Sequence, residues 1–169
     1  LPFKTQHWIL NKTQQLLEEC CYRFMGKWFP SVLEDNGWDV PEAVELTVWW
    51  KTLSNCVIPT AAVDLSQGQS LADLFNNVKY IRHSAVHRDL QMPIQVVEEM
   101  TRDAWLLSSA LRDDSTTAQL QHWHKELELW EICRARTELE TRLAELESRG
   151  NKLTQSLEED KTCPLFNVD

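Results

Sequence analysis

The chain has 169 residues and a mass of 19.8 kDa, a length that favours one domain, at most one domain with an appendage. Hydrophobic residues make up 43% and charged residues 25%, which argues against disorder; 4 glycines and 6 prolines are too few for the turns of an all-β sandwich or barrel. Lys plus Arg is 17 and Asp plus Glu is 26, so at a net charge of −9 a protein that works by neutralising phosphates is disfavoured unless its basic residues cluster.

Residues 4 to 28 predict a first helix, because Ile9, Leu16, Cys20, Phe24 and Trp28 recur at helical spacing and Leu17 and Cys21 widen the stripe. Pro30 and then Asn36-Gly37 end it. Pro41 opens a second helix, at a position where a missing N–H costs nothing, and that helix is expected to run to about Cys56 with Val44, Val48 and Trp49 inward. A loop bounded by Ile58-Pro59 and Gly68 follows. Ser70-Leu71-Ala72-Asp73 then starts a third helix, the serine hydroxyl accepting from the third N–H. Its inward face is Leu71, Leu74, Phe75, Val78, Ile81 and Ala85, and it ends near Arg88. Pro93 starts a fourth helix with Ile94, Val97, Thr101, Ala104, Trp105 and Leu111 inward. Asp113-Asp114-Ser115 caps a long fifth helix from about 116 to 149, and Gly150-Asn151 reads as its C-cap, followed by a short final helix.

The last long helix carries a heptad seam. Leu129, Ile132, Arg136, Leu139, Leu143, Leu146, Gly150, Leu153 and Leu157 follow one another in steps of three and four, and seven of the nine are apolar. Glu138 with Arg142 and Glu145 with Arg149 stand at helix-stabilising spacing. At 1.5 Å per residue such a helix is about 50 Å long, more than a bundle of the earlier helices covers, so part of it is expected to project. Eight tryptophans are many for this length. Trp8, Trp28, Trp49 and Trp105 fall on apolar stripes and are expected in the core. Trp123 and Trp130 lie on the long helix, where an aromatic either covers a neighbour or anchors a partner.

One stretch carries chemistry. From Phe75 to Arg88 there is no acidic residue, while Lys79, Arg82, His83, His87 and Arg88 cluster. Cations at a helix C-terminus complement its dipole, which is a sufficient structural reason for His87 and Arg88. Arg82 and His87 stand in an Arg-x4-His spacing with the polar His83 directly after the arginine. This pattern resembles the signature of the HEPN superfamily of small all-helical bundles. The resemblance implies a metal-independent ribonuclease or nucleotide-handling fold that works as a dimer with two motifs facing each other. Arg82 would then steady phosphate charge, His87 would serve as general acid or base, and His83 would orient them. The same residues are similar to an Arg-[His/Asn]-x-Ala-Val-His-Arg stretch of uncharacterised fungal proteins, a likeness that carries no function. Five positions on one helix set Arg82 and His87 about 140° apart, so they converge only where the helix loosens or a partner supplies one of them. His83 and His87 also make half of a metal site, but no H-E-x-x-H pattern supplies the rest, so no metal and no cofactor are expected.

The five cysteines, Cys20, Cys21, Cys56, Cys133 and Cys163, show no C-x-x-C spacing and read as reduced thiols of an intracellular protein, cytoplasmic or nuclear. Of the vicinal pair Cys20-Cys21, one is expected in the core and the other incidental. No apolar run is long enough to span a bilayer, and no membrane association is expected. Leu1-Pro2-Phe3-Lys4 shows neither an initiator Met nor a leader pattern, and the chain reads as a piece of something longer.

The expected fold is all-α: an antiparallel bundle of four to five helices with a long, coiled-coil-like C-terminal helix. Residues 1–114 form its core, 115–160 the long helix, and 161–169 a tail. The expected function is non-enzymatic: a protein–protein interaction or oligomerisation module that binds a protein partner or its own copy, through Trp123, Trp130, Leu139, Leu143 and Leu146. The alternative is a metal-independent ribonuclease acting as a dimer with Arg82, His83 and His87, although the charge of −9 disfavours RNA as a partner.

Overall fold

A computed structural model describes residues 1–65, 69–87 and 92–161, with the side chains of all of these except 87 and 158–161. Gly68, Arg88, Cys163 and the expected tail beyond residue 161 lie outside the described residues. Those described form six α-helices and no strand: α1 (Phe3–Trp28), α2 (Pro30–Asn36), α3 (Leu46–Leu53), α4 (Leu71–His87), α5 (Ile94–Ala110) and α6 (Asp114–Lys161). Single 3₁₀ turns stand at Pro41–Ala43 and Thr60–Ala62. The chain divides into two compact units, Leu1–Glu128 and the segment from Leu129 onward.

In the first unit, polar contacts fix the helix directions. The Gln6 side-chain oxygen accepts the Met92 N–H (3.1 Å) ahead of α5, and the Arg23 guanidinium meets Asp113 (2.7 Å) just beyond it. So α1 and α5 run the same way. Helix α4 opposes them. Its Phe75 stacks on Trp50, whose neighbour Trp49 meets Tyr22, and Arg82 pairs with Glu45 next to the Leu46 N–H held by Glu18. The start of α6 opposes α1 as well, with Thr116 against Arg23 and Trp123 against Trp8. The result is an up-down-up-down arrangement of α1, α4, α5 and the first turns of α6, with α2 and α3 inserted between the first two.

The core follows the apolar stripes. Leu10, Leu17, Cys20, Cys21 and Met25 of α1 pack with Val78 and Ile81 of α4, Val97, Ala104 and Leu107 of α5 and Leu120 of α6, all excluded from solvent. Every residue assigned to the inward face of α4 is buried. Its start is the expected cap, the Asp73 N–H donating to Ser70 Oγ (3.2 Å). At the other sharp corner Asp113 Oδ1 accepts the Thr116 N–H (3.0 Å) and caps α6. Arg112, in the left-handed region at φ 57°, turns the chain there and donates to the Ala61 carbonyl (3.0 Å).

Five expectations are corrected. Residues 30–36 make a helix of their own, closed by Gly37 in the left-handed conformation at φ 65°, which glycine adopts without a Cβ clash. The single helix expected from Pro41 to Cys56 is split, because Val44 and Glu45 are extended; α3 begins only at Leu46, whose N–H donates to Glu18 Oε1 (3.2 Å). In this shorter helix Leu46, Trp49 and Leu53 face inward and Val48 outward. Trp8 is 53% exposed and Trp28 and Trp105 are half-buried, so of the four tryptophans expected inside only Trp49 is enclosed. Cys20 and Cys21 are both buried, since the stripe of α1 is wide enough to take in two successive positions. Gly150 does not end a helix: α6 continues through it to Lys161.

Candidate functional site

The Arg82 cluster lies on the outer side of α4. Thr47, Lys79, Tyr80, Arg82, His83 and Val86 line a depression of about 340 Å³. Lys79 Nζ stands 5.2 Å from the centre of the Tyr80 ring. The Arg82 guanidinium is paired with the Glu45 carboxylate, at the position preceding α3. Behind this pair, Glu18 accepts from Gln14 (2.9 Å) and from the Leu46 N–H, and burial nevertheless raises its carboxyl above the ordinary value. His87 is the last residue of α4, and its side chain is outside the described set. The structure therefore brings Arg82 and His83 into one depression and adds Glu45. Glu45 stands 37 positions from Arg82, and no local pattern could have linked them. Chemically the arrangement is a guanidinium already supplied with a counter-charge, beside a lysine and an imidazole. Among the described residues no group of three His, Cys, Asp or Glu side chains could hold a metal ion.

A second depression, of about 390 Å³, lies at the corner where α5 turns into α6, lined among others by Cys20, Arg23, Lys27, Arg112, Asp113 and Asp114. Arg23 and Asp113 hold each other there: Arg23 donates to Asp113 Oδ2 (2.9 Å) and to Thr116 Oγ1 (2.7 Å). Burial alone would raise the Asp113 carboxyl, but the Thr116 N–H and the Arg23 guanidinium outweigh it and hold Asp113 below the ordinary range. The Cys20 and Cys21 thiols are pushed up by burial and are poor nucleophiles.

The partner-binding candidates fall into two sets. Trp123 belongs to the first unit, half-buried, with its ring 5.5 Å from that of Trp8 and tilted by 51°. Its neighbour His124 stacks on Trp105 (5.7 Å) and sets Nδ1 2.9 Å from Glu98 Oε1. These side chains close the bundle. Trp130, Leu139, Leu143 and Leu146 belong to the second unit and are exposed, the three leucines by 65%, 58% and 63%. Every residue from 132 to 157 is exposed. Placing Leu129 at heptad position a sets Leu143 and Leu157 at a, and Ile132, Leu139, Leu146 and Leu153 at all four d positions. Trp130 falls at b, one position off the seam. Arg136 is at a, and its Nε donates to Glu140 Oε1 (2.7 Å) four residues on. The expected pairs Glu138–Arg142 and Glu145–Arg149 are not formed, and Arg136 with Glu140 is paired instead; an exposed pair at this spacing is worth only about 0.2–0.5 kcal/mol.

No helix among the described residues is long and apolar enough to cross a membrane. Compared with protein-family models, with curated proteins and with solved structures, the chain matches none.

Proposed function

We propose that the protein is a non-enzymatic assembly module whose α6, over residues 129–157, associates with another helix along its heptad seam. The observation that carries this reading is the exposure of the whole seam. All seven apolar side chains at a and d are more than half exposed, over four heptads of continuous helix. Scattered exposed leucines are ordinary on a protein surface; a single stripe at coiled-coil spacing is not. Burying one leucine or isoleucine is worth about 1.5–3 kcal/mol, so seven such side chains supply ample driving force for association even after its entropic cost.

Sedimentation equilibrium of the chain, wild type beside Leu143→Asp, tests this. The wild type is expected to associate in the micromolar range, and the variant to be monomeric with its helical circular dichroism and thermal transition retained. A wild type that stays monomeric at high micromolar concentration, or a variant that assembles equally well, overturns the reading. RNA cleavage by Arg82, His83 and His87 has less support, because the guanidinium it needs is paired with Glu45 and the net charge of −9 repels a polyanion. Cleavage without added metal that is lost in both Arg82→Ala and His87→Ala would reverse this preference.

A further inference from the structure

The geometry points to a second copy of this chain as the occupant of the seam, wound parallel and in register over residues 129–157 as a two-stranded coil. This inference rests on the assembly reading above and specifies its partner. Its basis is the charge at the positions flanking the seam. With Leu129 at a, the e positions are Cys133, Glu140, Glu147 and Thr154, and the g positions are Ala135, Arg142, Arg149 and Ser156. Every charge at e is negative and every charge at g is positive.

In a parallel pair, g of one strand faces e of the next heptad of the other. Arg142 then meets Glu147 of the second copy, twice by symmetry. In an antiparallel pair, e faces e and g faces g. Full overlap would set Arg142 against Arg149 and Glu140 against Glu147, and no register would bring opposite signs together. Among the described residues Arg142 and Arg149 form no ion pair within their own helix, so both are available.

The seam fixes the register too. Its two imperfect a positions are Arg136 and Gly150. In register, Arg136 faces Arg136 and Gly150 faces Gly150, which confines the faults to two layers, and each arginine carries its own counter-charge in Glu140. A slip of one heptad sets Arg136 against Leu129 or Leu143 and Gly150 against Leu143 or Leu157, spreading the faults over four layers. A charged residue at a single a position is tolerated in a two-stranded coil, where its head reaches water, and specifies register at a cost in stability.

Sedimentation equilibrium on the full chain reads orientation through three proteins: wild type, Arg142→Glu and the double variant Arg142→Glu/Glu147→Arg. A parallel dimer requires that Arg142→Glu weaken association about tenfold, by turning two attractions into two repulsions, and that the double variant recover it. Tighter association of Arg142→Glu overturns the inference in favour of an antiparallel pair and leaves the assembly reading standing. Equal association of all three proteins also overturns it, as does a mass corresponding to three or four strands. A monomeric wild type overturns both readings. Leu153→Cys, with Cys56, Cys133 and Cys163 changed to Ser, gives a second readout: air oxidation is expected to link the two strands at this d layer, and failure of a demonstrably dimeric variant to cross-link overturns the parallel in-register arrangement.

Discussion

Helix α4 and the 129–157 stretch of α6 are written in the same code and end in opposite environments. Both space apolar residues by three and four. In α4 that face is buried against α1, α3 and α5, from Leu71 to Ala85. In α6 the equivalent face is exposed from Leu129 to Leu157. Apolar periodicity therefore states that a helix has a face to cover, and says nothing of whether the cover comes from its own chain. The remaining faces differ in a way that does inform. Around its seam α6 alternates negative and positive positions, Glu140, Arg142, Glu147 and Arg149, and the proposed parallel pairing rests on that order. Helix α4 carries Lys79, Arg82 and His83 on its outer side, and Glu45 of the same chain pairs with Arg82.

Truncating one residue on each face separates the two environments most strongly. Ile81→Ala removes a fully enclosed side chain and is expected to cost about 2–5 kcal/mol of unfolding free energy. Leu143→Ala, measured by urea denaturation at a concentration where the chain is monomeric, is expected to cost less than about 0.5 kcal/mol, while weakening association. Equal costs would mean that the seam is covered within one chain.

The next effect concerns the corner at which α6 starts. Asp113→Ala removes a helix cap and the partner of Arg23, with an expected loss of about 1–2 kcal/mol at neutral pH. The Asp113 carboxyl is held below its ordinary value in the fold, so its contribution is fully present above about pH 4, the unfolded value, and is lost as pH falls through the lowered folded one. The gap between wild type and variant is therefore expected to close in that acid range, and a gap independent of pH down to 2 would remove the charge from the account. Glu18 has the opposite sign. Burial raises its carboxyl, so its ionisation opposes folding as pH climbs from the ordinary glutamate value, about 4, through the raised one, and a Glu18→Gln chain should lose less stability than the wild type over that rise.

The smallest effect sharpens the description of α6 itself. Gly150 sits inside the helix with nothing within 4 Å of where a Cβ would stand. Gly150→Ala is expected to strengthen the helix by about 1 kcal/mol, read as about fivefold slower amide exchange around residues 146–154. Unchanged or faster exchange would mean that the helix breaks at Gly150, as the sequence alone suggested.

Much of this was legible in the residues. The stripe of α4, the Ser70 cap, the Asp113 cap and the heptad seam are local patterns, and each depends on side chains within a turn or two of one another. What escaped was decided at a distance. Residues 41–45 turn and extend before α3 because the first N–H of that helix is taken by Glu18, 28 positions earlier. Trp8 leaves the core because Gln6, Ile9, Leu10 and Thr13 fill the inward arc of α1, and its indole rests on Trp123 of α6 instead. The neutralisation of Arg82 by Glu45 is likewise a matter of how α3 is seated beside α4.

By itself, then, the sequence determined that the chain is helical, where most of its long helices begin, and which face of each is apolar, because propensity, capping and periodicity act over a few residues. Only the tertiary structure decided which apolar faces are used up inside the fold. Burial is a property of surfaces that meet across tens of residues, and the same stripe is core where another helix packs on it and an open surface where none does.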